Sequence, residues 1–121
     1  MTDNPNSLIM ELFADFTVDG VSIPVAFLRY EGKKTTYVTF QQTDAGEAFC
    51  GDDKLINYVD FYDFDIYSKG NYNGIVEAIK TILTANGFMW SPSRSSGDMY
   101  EDDTGYYHKT LSFSIERTNN G

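Results

Sequence analysis

The clearest alternation of apolar and polar positions lies in the last third of the chain. Between residues 110 and 116, apolar side chains occupy every second position and polar ones lie between them. The apolar positions are Leu111, Phe113 and Ile115. Such a period of two is typical of a strand with one face in the core and the other in water. We therefore predict a core strand over residues 106–117, preceded by an acidic loop at residues 96–105.

Two other stretches have the three-and-four spacing of an amphipathic helix. The first begins near Asn6 or Ser7, which can cap it, and the second spans residues 72–86 and ends at Asn86-Gly87, a common helix stop. The apolar positions of the first are Leu8, Ile9, Leu12, Phe13 and Phe16. Those of the second are Ile75, Val76, Ile79, Ile82 and Leu83. The spacing predicts two helices that bury these stripes.

Strand patterns occupy the region between the two helices. Residues 21–27 alternate but contain Pro24, which cannot donate to a ladder and so favours an edge strand or a bulge. A polar turn at residues 31–34 leads to a second strand at residues 35–42, and we predict that the two strands form a hairpin. Residues 43–51 contain two glycines and are predicted to form a loop.

A long aromatic segment at residues 55–68 is predicted to be a further strand. Val59 and Phe61 lie out of phase with the apolar positions that follow, which indicates a bulge near Asp60. The sequence as a whole predicts one α+β domain over residues 1–121. We expect a mostly antiparallel sheet of about five strands, with a short strand at residues 88–90, two helices packed on one face and a frayed end at residues 119–121.

Composition limits the classes of function. The 121 residues are 41% hydrophobic and 16% aromatic, which is too apolar for a disordered chain. A net charge of −9 argues against a surface that binds nucleic acid or an anionic membrane. A single cysteine, Cys50, allows no disulfide within the chain. Neither a secretion signal nor an apolar run of about 20 residues is present, so we expect synthesis in the cytoplasm.

Candidate catalytic and metal-binding groups do not form the usual patterns. Asp60, Asp63 and Asp65 lie close together but lack the ligand offsets of a calcium loop, so we interpret Asp63 and Asp65 as a solvated strand edge. His108 is the only histidine, and we interpret it as a surface residue rather than the partner of Cys50. Glycine-rich phosphate loops are absent from the sequence. We therefore predict no enzyme activity, no metal and no cofactor.

Aromatic and charged residues mixed in one loop are instead typical of interfaces. We interpret residues 91–96 as a mobile connection that exposes a single arginine. The candidate partner surface consists of Arg94, Asp98, Met99, Tyr100, Glu101, Asp102 and Asp103. For Tyr106 and Tyr107 two interpretations stay open: they belong to this surface, or they fold back over the open end of the sheet.

Three runs carry a family resemblance: residues 37–43 (YVTFQQT), 65–72 (DIYSKGNY) and 96–108 (SGDMYEDDTGYYH). The chain resembles small tail-completion or tail-terminator proteins of long-tailed phages and prophages of Gram-positive bacteria. The resemblance covers most of the chain from about Val21 to Arg117, and its last two runs are the specific ones.

The resemblance implies virion assembly rather than catalysis. Tail terminators look like α+β domains that form a six-fold ring on the finished tail tube and present a surface to the head connector. It therefore implies a homo-oligomer that contacts the tail tube protein and the head connector protein. From the net charge we further expect an acidic lumen through which DNA passes, and no specific nucleic-acid or membrane binding. The expected location is the virion tail, after synthesis in the bacterial cytoplasm. The alternative function is an acidic, DNA-mimicking phage module that occupies a host factor.

Overall fold

The computed structural model describes residues 5–50 and 54–118, and this part of the chain contains two α-helices and eight β-strands. The helices are α1 (Pro5–Leu12) and α2 (Asn73–Thr84). The strands are β1 (Thr17–Val18), β2 (Val21–Ser22), β3 (Val25–Phe27), β4 (Tyr37–Cys50), β5 (Lys54–Ser68), β6 (Met89–Trp90), β7 (Met99–Glu101) and β8 (Tyr106–Thr118). A short 3-10 turn, Pro92–Arg94, lies between β6 and β7.

Six of these strands form one sheet in the order β3-β4-β5-β8-β6, and β7 pairs further along β8. All neighbouring pairs are antiparallel except β3 and β4, which are parallel, and β1 pairs with β2 in a separate ribbon. The predicted α+β class with a mostly antiparallel sheet is therefore confirmed.

The predicted hairpin between residues 21–27 and 35–42 is wrong. The first stretch divides at Pro24, where no backbone N–H is available to continue a ladder, so β2 pairs with β1 and β3 pairs parallel to β4. Leu28 then donates its N–H to the carbonyl of Phe40 and adopts a positive φ of 67°. This turn directs the chain back along the sheet, and the connection between the parallel strands becomes a crossover instead of a tight hairpin turn.

The prediction of a loop at residues 43–51 is also wrong for residues 43–50, because these residues belong to β4 and pair with β5. The bulge predicted near Asp60 is wrong: the register with β5 shifts between Gln42 and Asp44 instead, so that the extra residue there lies in β4. From Tyr58 to Ser68 the alternation of β5 is unbroken, and Asp60 lies on the same buried face as Tyr62. Gly51 and residues 119–121 lie outside the described residues.

The core lies on one face of the sheet, which we call the core face. A cross-strand row of Phe40, Phe64 and Leu111 forms its centre, and all three side chains are fully buried. Ile9 of α1 and Ile79 of α2 belong to the same buried cluster. Leu111 and Phe113 of β8 and most of the α2 stripe are therefore confirmed as core positions, whereas Ile115 is only partly buried. Packing of both helices on a single face stays a prediction.

Gly87 forms the predicted stop after α2. Its φ is +92°, and the next residue, Phe88, donates its N–H to the carbonyl of Leu83 at 3.0 Å. A Cβ built at Gly87 meets no heavy atom within 4 Å, so a side chain there adds backbone strain without a clash.

We expect Gly87→Ala to reduce the free energy of unfolding by about 1–2 kcal/mol, the cost of a left-handed backbone for a residue with a Cβ. Urea unfolding monitored by circular dichroism measures the change. Gly70→Ala is the matched control, because a Cβ at Gly70 also meets open space and its φ is not in the left-handed region. Equal effects at the two positions would contradict the argument.

Candidate partner-binding site

The acidic segment that the sequence predicted as a loop is in part a strand. Residues of β7 pair with β8 in antiparallel register, and residues 102–105 form the turn between them. Gly105 closes this turn by donating its N–H to the carbonyl of Glu101 at 2.8 Å, with a φ of +76° that suits glycine. We call residues 98–107 the acidic hairpin. The structure brings together six of the seven predicted site residues on it, and Arg94 is the exception.

Two side chains from other elements hold Asp98 at the base of the acidic hairpin. Its carboxylate accepts a hydrogen bond from the Tyr72 hydroxyl, which precedes α2, and one from the Lys109 ammonium of β8 at 3.3 Å. Burial, followed by the hydrogen bond to Asp98, raises the pKa of Tyr72 to about 12. The hydrogen bonds from Tyr72 and then Lys109 lower the pKa of Asp98 below its usual value. These contacts anchor the hairpin to the helix-bearing part of the domain.

This anchor gives a pH-dependent stability with two limbs. A lowered carboxyl pKa contributes stability above the ordinary value of 3.8, and this contribution is lost as the pH falls through the folded-state pKa. A raised tyrosine pKa contributes stability below the ordinary value of 10.0, and this contribution is lost as the pH rises through about 12.

We expect Tyr72→Phe to lower stability at neutral pH and to weaken both limbs, because the substitution removes the hydroxyl that joins the two groups. Urea unfolding between pH 3 and pH 12 measures the profile. Tyr100→Phe is the control, because this exposed tyrosine on the same hairpin has no described contact with Asp98. A Tyr72→Phe profile that keeps the wild-type slope on both limbs would refute the assignment.

The outer part of the hairpin exposes acidic groups in an ordered turn. Glu101 accepts a hydrogen bond from the Thr104 hydroxyl at 3.0 Å, and its other carboxylate oxygen lies 3.7 Å from Nδ1 of His108. Asp102 and Asp103 lie in the turn itself and are exposed. The hairpin therefore presents its charge at a defined position at one end of the sheet.

Apolar surface accompanies these carboxylates on both faces of the hairpin. Met99 and Tyr100 are both exposed and, as neighbours on a strand, point to opposite faces. Tyr100 packs against Tyr107 with ring centroids 5.0 Å apart, and Tyr107 is itself exposed. Tyr106 instead folds over the other face of the sheet. Each of the two interpretations left open by the sequence therefore applies to one tyrosine: Tyr107 belongs to the exposed surface, and Tyr106 covers the sheet.

Arg94 does not join the acidic hairpin. Its guanidinium lies over the ring of Phe61 at 4.1 Å and reaches Asp44 at 4.0 Å. Phe61 pairs with Ser114 of β8, several residues along the strand from the hairpin pairing at residues 106–108. Arg94 therefore lies apart from the acidic hairpin, and its part in the partner surface stays a prediction.

Serine side chains, which the sequence interpretation missed, hold the connection that carries Arg94. The Ser95 hydroxyl oxygen accepts a hydrogen bond from the N–H of Ser112 at 2.9 Å and the hydroxyl donates to the carbonyl of Ser91 at 3.0 Å. Ser96 exchanges two bonds with Thr110, one through its backbone N–H and one through its hydroxyl oxygen. The prediction that residues 91–96 form a mobile connection is therefore wrong. The density of serines beside a strand was the sequence signal that could have revealed these hydrogen bonds.

Carboxylates on the face opposite the core, the polar face, are also paired. Asp65 accepts hydrogen bonds from the Thr110 hydroxyl at 2.6 Å and from Nε2 of His108 at 3.0 Å, and Asp63 accepts one from the Ser112 hydroxyl. The interpretation of Asp63 and Asp65 as a solvated edge is wrong, because hydroxyl groups of the neighbouring strand satisfy both.

Aromatic rings form a row across the polar face. Tyr37 stacks between Tyr30 and Tyr67, at centroid distances of 4.7 and 5.0 Å, and Tyr67 also stacks on His108 at 4.3 Å. Because the faces of the two central rings are covered by their neighbours, the row exposes ring edges rather than a stacking platform. His108 is mostly covered and not the surface residue that the sequence predicted, and it has a carboxylate beside each ring nitrogen.

Other kinds of site have little support in the described part of the chain. Within residues 5–50 and 54–118, no three histidine, cysteine or acidic side chains are grouped so that they could hold a metal ion. Neither described helix is long and apolar enough to cross a membrane. No protein-family model matches the sequence, and no curated protein matches it significantly.

Proposed function

We propose that this protein is a structural component of a long-tailed phage or prophage tail, a tail terminator or head–tail joining protein that caps the tail tube as a ring of subunits. The resemblance of residues 65–72 and 96–108 to tail-completion proteins suggests the class. The acidic hairpin is the observation on which the proposal depends: exposed Met99 and Tyr100 lie beside exposed carboxylates on a strand whose conformation is already fixed.

A fixed hairpin suits assembly because binding then orders few side chains. Asp98 is held by Tyr72 and Lys109, and Glu101 by Thr104, before any partner arrives. Such preorganisation lowers the entropic cost of association. Large aromatic and sulfur-containing side chains surrounded by charged groups are typical of interface centres and rims.

The proposed partners are further copies of this chain, the tail tube protein and the head connector protein, within the virion tail. The subunits form a ring whose contacts are head-to-tail and close by rotation, with six subunits as in the terminators that the sequence resembles. An acidic lumen repels phosphates, so that DNA passes without being held. The protein makes and breaks no covalent bond in this role.

The alternative, an acidic mimic of DNA that occupies a host factor, has less support from the contacts. A mimic requires carboxylates spread over an exposed face. Here Asp63 and Asp65 are hydrogen-bonded across the polar face, and Asp98 is bonded at the base of the hairpin.

Light scattering and electron microscopy of the purified protein, alone and mixed with the tail tube protein of the same phage, test the proposal. We expect a six-fold ring, in solution or on the ends of tubes. A protein that stays monomeric and joins neither tube nor connector at any concentration tested would refute it. Stoichiometric capture of one host protein and of no virion protein would favour the mimic instead.

A further inference from the structure

The sheet has two outer edges, and both expose apolar side chains. Among the described strands, β3 has a neighbour on one side only, and the line of β6 and β7 has no neighbour beyond it. At the first edge Phe27 and Leu28 are exposed, and at the second Met89 and Tyr100 are 68% and 54% exposed. Unpaired edges are normally shortened or charged so that they do not pair with other chains.

The two edges carry opposite charge. Lys33 and Lys34 lie in the crossover that follows β3, together with Arg29 and Glu31, which form an ion pair with each other. At the other edge the acidic hairpin carries Asp102 and Asp103 in its exposed turn, with Asp98 just before β7 and Glu101 at its end. The two lysines at the edge opposite the acidic hairpin make the two edges complementary in charge.

The opposite charges also lie at the same end of the sheet. Met99 pairs with His108, His108 with Tyr67, and Tyr67 with Tyr37, so β7 lies level with the start of β4. At the other edge, Lys34 donates from Nζ to the carbonyl of Ser22 at 2.8 Å, just before β3 begins. Two sheets placed side by side in the same orientation would therefore bring the acidic turn close to Lys34.

A cavity beside β3 offers a place for an apolar side chain at this contact. Its volume is about 410 Å³, it is open to solvent, and α1, β3 and the crossover border it, with Phe13, Phe16, Val25, Tyr30 and Lys34 among the lining residues. Most of this lining is apolar, and Lys34 supplies a cation at the rim. An aromatic ring with a polar edge fits such a site.

We infer that the occupant is a second copy of this chain: the β6–β7 edge of one subunit docks against the β3 edge of the next. Tyr100 enters the cavity and the acidic turn faces Lys33 and Lys34. Because the two surfaces differ, the contact is head-to-tail. A pair of subunits therefore still has one free β3 edge and one free β6–β7 edge, and further subunits can add until a ring closes. The inference rests on the proposed function and specifies its subunit interface.

A reciprocal charge exchange tests the contact. Lys33→Glu/Lys34→Glu places acidic groups at both edges, and Asp102→Lys/Asp103→Lys places basic groups at both. We expect each variant alone to self-associate at least about tenfold more weakly than the wild type, and an equimolar mixture to regain assembly with alternating subunits. Sedimentation velocity, at low salt and at high salt, measures all of these states.

Glu77→Lys/Glu116→Lys is the matched control, because it changes the net charge as Asp102→Lys/Asp103→Lys does but alters exposed positions in α2 and near the far end of β8, neither of which lines the cavity or lies in the acidic hairpin. This control should assemble like the wild type. Tyr100→Ala should also weaken assembly, with a melting temperature close to that of the wild type because the side chain is exposed.

The outcomes separate the two proposals. Restored assembly in the mixture supports the contact. The contact is overturned if the charge variants assemble like the wild type, or if they are folded but their mixture stays dissociated. In either case the proposed function still stands if the wild-type protein forms a ring. A wild-type protein that never assembles, with or without tail tube protein, overturns both.

Discussion

Phe64→Ala should lower the free energy of unfolding by about 3–5 kcal/mol, the range found when a buried phenylalanine is truncated. The Phe64 side chain is fully buried at the centre of the core face. Its ring lies 5.6 Å from Phe40, 5.9 Å from Phe13 and 5.6 Å from Phe113, measured between centroids. Truncation therefore opens a cavity between β4, β5, β8 and the segment after α1, which cannot all close around it. Urea unfolding with fluorescence detection measures the loss.

Because small domains are stable by only about 5–15 kcal/mol, this variant should be close to unfolding at 37 °C. Phe27→Ala is the control: its ring also contacts Phe40, at 5.5 Å, but it lies on the β3 edge and is 45% exposed. We expect a clearly smaller loss there. A comparable loss for the two variants would mean that β3 belongs to the centre of the core and not to an exposed edge.

Local periodicity was sufficient to predict most of the core. Ile75, Ile79 and Leu83 follow the helical spacing, and all three are buried in α2 as predicted. The same holds for Leu111 and Phe113 in β8. These predictions succeed because the side-chain period of an element is set by its own backbone geometry and needs no information about distant residues.

Pairing between strands could not be predicted in the same way. The parallel contact of β3 with β4 depends on the turn at Leu28, a leucine in a left-handed conformation that no sequence rule anticipates. The length of β4 depends on pairing with β5, and the glycine at position 46 suggested a loop instead. In both cases a tertiary partner overrides a local preference.

Only part of the candidate site could be predicted, because the rest depends on tertiary contacts as well. Asp98, Met99 and Tyr100 could be found because they are neighbours in the sequence. The groups that fix the site, Tyr72 and Lys109, contact Asp98 from other elements, and only the folded chain brings them together. Sequence adjacency therefore identified the exposed part of the hairpin but not the side chains that hold it in place.

Ser95→Ala/Ser96→Ala should lower stability by about 1–3 kcal/mol for each buried group left unpaired and should weaken assembly as well. The two hydroxyl oxygens accept hydrogen bonds from the N–H groups of Ser112 and Thr110, at 2.9 Å each, where a continuous edge strand would supply carbonyls. Without these hydroxyls, the part of β8 between its pairings with β6 and β7 loses its hydrogen-bond acceptors. The acidic hairpin is then held by fewer contacts.

Native-state hydrogen exchange measures this effect directly, because the amides of Ser112 and Thr110 should exchange much faster in the double variant while those in the centre of β5 change only with global stability. Ser93→Ala is the control, since Ser93 is exposed in the 3-10 turn and has no described hydrogen bond through its side chain. If the double variant and the control keep equal protection and equal assembly, the serine hydroxyls do not hold the hairpin. If protection falls but assembly is unchanged, the hairpin does not need a preformed base to bind its partner.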